Sequence, residues 1–222
     1  MKKRNFVLRG NKAFTLAEVL ITLVIIGVIG ALTVPALIQN TRKQEYVSAL
    51  KKAYSTFSQA AQQIIAKEGS PKCDDGGWGC SSAEISEQFI KHLNILKDCG
   101  SGAGCFPQGA YKQIDEIHNT SVWDNRKDMQ KFILAGGMQT AVELIDKNCG
   151  QGNNNDLCAY IYADLNGVKK PNIMGRDVFV FSLTEKGIRP TGCNNDGILC
   201  KPEITEAWGC ACKVLSEDAI NY

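Results

Sequence analysis

No cysteine precedes Cys73, no acidic residue precedes Glu18, and no charge lies between Val19 and Ile38. Each gap excludes something. The uncharged run VLITLVIIGVIGALTVPALI has 20 residues, too long for the ~7–15-residue core of a secretory signal. Val34-Pro35-Ala36 is also a poor small-x-small cleavage site. As a helix the run spans roughly 30 Å, the thickness of bilayer hydrocarbon. Histidine is scarce, with two in 222 residues. No Ser/His/Asp order, zinc signature or phosphate-cradling glycine loop is legible, so no enzyme is expected. An excess of one charge sign is missing as well: 25 Lys+Arg stand against 23 Asp+Glu. Nucleic acid is therefore not a required partner.

What is present is unevenly placed. Lys2, Lys3, Arg4, Arg9 and Lys12 precede the apolar run and favour a cytoplasmic N-terminus. Without residues 1–13, 20 bases face 23 acids, a net charge of −3. Ten cysteines follow the run, among Gly- and Asn-rich loops. Their even number implies disulfides and an oxidising compartment. Zinc would want C-x2-4-C knuckles or Cys near His. Only Cys210 and Cys212 are close, and neither His92 nor His118 has a Cys neighbour at ligand spacing. Local order suggests Cys73–Cys80, Cys99–Cys105, Cys149–Cys158 and Cys193–Cys200. Cys210 and Cys212 are left over, and on a strand they would point to one face.

Ala13-Phe14-Thr15-Leu16-Ala17-Glu18-Val19-Leu20, behind its basic leader, resembles the prepilin processing site of type IV pilins and type II secretion pseudopilins. The resemblance implies that prepilin peptidase cuts between Ala13 and Phe14 and N-methylates Phe14. Ala13 stands where the family usually has Gly, which implies slower processing. Glu18 becomes the fifth residue of the product, its carboxylate meeting the Phe14 amine of a neighbouring subunit. Pro35 falls where the family commonly kinks this helix. The implied protein is a structural filament subunit without a cofactor. Its partners are itself and other pilins, prepilin peptidase, an inner-membrane assembly platform and membrane lipid. It would cross the bacterial inner membrane once, N-terminus cytoplasmic and head outside, and be extractable into a periplasmic or surface filament. Two other readings stay open. One is a DNA-binding minor pilin using Lys169, Lys170 and Arg176; the other is an anchored or secreted disulfide-rich protein that never polymerises.

Helical periodicity continues past the membrane run. Val47, Leu50, Tyr54, Phe57, Ala61 and Ile64 form one apolar stripe, and Lys51, Lys52, Ser55, Gln59 and Gln62 occupy the other face. One helix over 14–68, kinked at Pro35, ends at Gly69-Ser70-Pro71. Residues 69–125 read as a loop-rich αβ region with a short helix over Ala83–Leu96. Residues 126–222 read as an antiparallel head of about four strands. In it, Gly136-Gly137 turns a hairpin, AYIYADL alternates before Asn166-Gly167, and DVFVFSL is the clearest strand. The fold class is α+β, a long transmembrane helix packed on a disulfide-rich sheet. Tyr162 to Phe179 also resembles the sheet region of some secretion-type pseudopilin-like proteins. Asp164, Asn166, Asn172 and Asp177 invite calcium, but their spacing is not that of an EF-hand. Asp and Asn also favour turns through local hydrogen bonds. No metal is assigned.

Overall fold

A computed structural model describes residues 14–151, 156–193, 198–201 and 207–222; the leader 1–13 lies outside the described residues. The chain divides into two compact units, Met1–Arg42 and Lys43–Tyr222.

Helix α1 runs from Leu16 to Glu68 with Pro35 inside it, and Gly69 follows at φ +83°. In the first unit its large apolar side chains are open to the surroundings, from Leu16 at 79% to Ile38 at 47%. A helix that is apolar all round suits lipid or other apolar helices, not water.

The second unit has the order α1 (its part from Lys43), α2 (Ser82–His92), β1 (Ile95–Gly100), β2 (Met129–Leu134), β3 (Gln139–Leu144), β4 (Leu157–Asp164), β5 (Val178–Thr184), β6 (Gly187–Pro190) and α3 (Cys210–Glu217). The six strands form one antiparallel sheet in sequence order. The α1 stripe buries Val47, Leu50, Ala53, Phe57, Ala60, Ala61 and Ile64. Tyr54 stacks on Phe181 of β5 at 6.1 Å between ring centroids, and Phe57 tilts against the same ring at 5.8 Å. Phe89 of α2 meets Phe57 edge-on, and Trp78 meets Phe89 in the same way. On the sheet's other face Trp123 and Trp208 both contact Tyr162 of β4. Every residue of β5 is therefore buried. A strand covered on both faces reads as a continuous apolar run, as VFVFSL does.

The sheet has six strands where about four were expected. β1 takes Ile95 and Leu96 out of the expected helix, which ends at His92. It is an edge strand with two register irregularities, and its Leu96 is 68% exposed, so it has no clean alternation to read. β6 is only four residues, with Pro190 at the other edge, where a missing N–H breaks no central ladder.

Five disulfides close the head. Cys73 joins Cys80, Cys99 joins Cys105, and Cys149 joins Cys158. The expected Cys193–Cys200 pair is wrong: Cys193 joins Cys212 and Cys200 joins Cys210. The reason is local. Cys210 and Cys212 lie on helix α3, not on a strand. Residues two apart on a helix point about 200° from each other, so they reach different partners.

Buried polar groups hold the remaining loops. The ammonium of Lys131, fully buried, donates to the carbonyls of Ser101, Asp124 and Arg126 at 3.2, 3.0 and 2.6 Å. The Asp124 carboxylate accepts the amides of Gly104, Cys105 and Phe106. After α3 the chain returns to α1: Lys43 Nζ donates to the Ile220 carbonyl (3.0 Å), and Lys51 pairs with Asp218. The Tyr222 hydroxyl donates to the Gly175 carbonyl at 2.5 Å.

Two outcomes follow. Non-reducing peptide mapping is expected to link Cys193 to Cys212 and Cys200 to Cys210, with no Cys193–Cys200 peptide. Phe57→Ala is expected to lower head stability by about 3–5 kcal/mol, read as a shift in the urea midpoint of tryptophan fluorescence.

Candidate functional site

The start of α1 is built by Thr15 and Glu18. Thr15 is the N-cap, its Oγ1 accepting from the Glu18 amide at 3.2 Å. Glu18 Oε2 reaches back to the Thr15 amide (2.8 Å) and hydroxyl (2.9 Å). This reciprocal pattern is a capping box, and it satisfies amides that the first helical turn leaves free. Phe14 precedes it, 86% exposed. Within one chain the partner of Glu18 is thus Thr15, a residue passed over in the sequence although T-x-x-E is itself a legible signal. Ala13 lies outside the described residues. Pro35 sits within α1, exposed.

The second cluster lies between β4 and β5. Asp164 Oδ1 accepts the amides of Asn166 (3.2 Å) and Gly167 (2.9 Å), and its Oδ2 accepts the Tyr111 hydroxyl at 2.6 Å. Asp177 accepts the amides of Ile173 (2.7 Å) and Asn172 (2.8 Å) and the side-chain amide of Asn166 (3.0 Å). Both carboxyls are fully buried. Burial pushes Asp164 up to about 8 against the pull of these donors, with the nearby Asp177 carboxylate adding to the rise. Burial raises Asp177 in the same direction, and raises Tyr111 too. Of the four side chains considered for calcium, the two carboxyls face N–H and O–H donors, and the buried Oδ1 atoms of Asn166 and Asn172 accept no hydrogen bond among the described residues. Among the described residues no group of three or more His, Cys, Asp or Glu could hold a metal ion.

A third region is a cavity of about 640 Å³ lined by Arg126, Glu143, Tyr162 and Trp208 among others. Its charges are already matched: Arg126 pairs with Asp128 and Glu143, and Glu143 accepts the Tyr162 hydroxyl at 2.5 Å. The basic set considered for DNA is weakened in a similar way, because Arg176 pairs with Glu116 at 2.6 Å.

Comparison with known families now adds to this geometry. Residues 8–34 match the prokaryotic N-terminal methylation motif. That motif is the prepilin and pseudopilin signature, and here it is confined to residues 8–34. The methylation-motif match covers the end of the basic leader, the capping box and most of the apolar run, and α1 is long and apolar enough to cross a membrane. Residues 32–134 match Peptidase S39. A nucleophilic peptidase needs its nucleophile within hydrogen-bond reach of a base. In this stretch His92 Nδ1 lies 2.9 Å from the Gln88 carbonyl, and His118 Nδ1 lies 2.5 Å from Asp115 Oδ2 on the surface. Among the described residues no serine hydroxyl is hydrogen-bonded to either ring. No curated protein and no solved structure matches the chain.

The buried carboxyls set a pH dependence. Asp164 ionises near 8 when folded and near its ordinary 3.8 when unfolded. Between those values the folded state holds a proton that the unfolded chain has released, so stability falls as pH rises. Thermal midpoints are expected to drop from pH 5.5 to pH 8.5. Asp164→Asn is expected to flatten that slope, leaving the smaller contribution of Asp177.

Proposed function

We propose that this chain is a prepilin whose product is a structural subunit of a type IV pilus-like or type II secretion filament. The observation that carries the reading is the methylation motif over residues 8–34, set on a helix that is bare and apolar before a disulfide-closed head. Residues 1–13 act as the basic leader, 14–68 as the stalk with the span at 19–38, and 69–222 as the head. Prepilin peptidase cuts after Ala13 and methylates Phe14. The product stays in the inner membrane, N-terminus inward and head outside, until an assembly platform extracts it. In the polymer, apolar stalks bury one another, and heads with five disulfides form the outer surface. The chain's part is structural rather than catalytic, and it needs no cofactor.

Glu18 supplies the register. An ionised carboxylate at this depth is costly without a partner. The capping box satisfies it in the single subunit. In the filament the amine of a neighbour's Phe14 replaces Thr15, exchanging a neutral donor for a charged one, which is the stronger bond.

Mass spectrometry of the mature protein tests the processing. An N-methylated Phe14 terminus is expected, and a terminus near Leu37 would overturn the reading. Glu18→Ala is expected to be cleaved normally yet absent from sheared filaments; normal incorporation would remove the register role.

A further inference from the structure

The connection after β4 is held firmly against α1. The Asn166 side-chain amide donates to the Tyr46 hydroxyl (3.2 Å), to Asp177 Oδ2 (3.0 Å) and to the Lys170 carbonyl (3.5 Å). Gly167, at φ +67°, donates its amide to Asp164. A side chain at Gly167 would meet the Gly137 carbonyl at 2.6 Å, so the backbone here is pressed close to the β2–β3 turn. Beyond this pinned base the chain displays Val168, 75% exposed, then the exposed Lys169 and Lys170. Among the described residues neither lysine has an ion-pair partner.

A single exposed valine is ordinary. This one is not placed at random. It tips a braced turn, two free ammonium groups follow it, and the turn is bonded to Tyr46. Only seven residues, 39 to 45, separate Tyr46 from the uncharged run that ends at Ile38. Two more lysines belong to this region: Lys43, bonded to the Ile220 carbonyl, and the exposed Lys112, whose amide donates to the Asn172 carbonyl. Glu45 is the acid beside Tyr46, and Glu116 is taken by Arg176.

We infer that the Val168-Lys169-Lys170 turn is a contact for anionic phospholipid headgroups at the outer face of the membrane that holds the stalk. The lysines meet phosphate, and Val168 enters the boundary with the acyl chains. Each lysine near an anionic surface strengthens such a contact roughly fivefold, and salt weakens it. Two lysines would be too few for a free protein. They suffice for a head tethered to the bilayer, where the local lipid concentration is high. The contact keeps the unassembled head against the membrane, and extraction into the filament releases it. The inference rests on the membrane-held prepilin reading above.

The test uses the full chain reconstituted in nanodiscs of phosphatidylcholine alone or with one third phosphatidylglycerol, read by hydrogen–deuterium exchange. Amides of residues 168–170 are expected to exchange at least fivefold more slowly in the anionic discs. The Lys169→Glu/Lys170→Glu double variant is expected to lose that difference, with exchange in β4 and β5 unchanged. Equal exchange in the two lipids, with the protein inserted in both, would overturn the headgroup contact and leave the prepilin reading standing. Failure to insert into either lipid, read by co-flotation with vesicles, would overturn both.

Discussion

The contact between α1 and β5 is the one on which the rest of the head depends. Tyr54 and Phe57 both rest on Phe181, and Leu50 and Ile64 extend the same buried stripe along the helix. A six-stranded meander needs a cover on one face, and the stripe supplies it. Phe89 brings α2 onto Phe57, so the cover is shared between two helices. With that face closed, the opposite face closes over Tyr162 with Trp123 and Trp208, which come from loops that have little regular structure. Those loops are the ones that disulfides and the buried Lys131 hold in place. The order of dependence is therefore helix, then sheet, then bridged loops.

This arrangement also explains the change of character along α1. From Val19 to Ile38 the helix carries no charge and its large apolar side chains are exposed, and from Val47 onward only one side is buried. One element thus meets two solvents, and the sequence marks the change by restricting apolar residues to every third or fourth position. That was legible because periodicity is a property of neighbours in the chain. The hairpin at Gly136-Gly137 and the strands β4 and β5 were legible for the same reason. β1 and β6 were not: one is an irregular edge and the other is too short to establish a period. The pairing of Cys193 with Cys212 depends on α3 facing two loops at once, which spacing cannot express.

The sites divide along the same line. Phe14, Glu18 and Pro35 stand out because a linear motif contains them. Thr15 is equally linear, but its role shows only when Glu18 is seen to bond back to it. Asp164 and Asp177 were read as turn residues, and they do form turns. The burial of Asp164 against Tyr111 is not legible in the chain, because the two residues lie 53 positions apart and meet only when the loop carrying Tyr111 folds over the sheet.

The segment following α3 has a mechanical consequence. Any tension drawn along α1 enters the second unit at Lys43, and Lys43 is bonded to the Ile220 carbonyl. Lys51, two helical turns on, pairs with Asp218, and Tyr222 is tied to Gly175. Load is thus divided at the point of attachment between the α1 stripe and a strap that leads through α3. From there two disulfides carry it to Cys193 and Cys200, beyond the last strand of the sheet. The head is gripped from both ends of its fold, so peeling the helix from the sheet would require the strap to yield at the same moment.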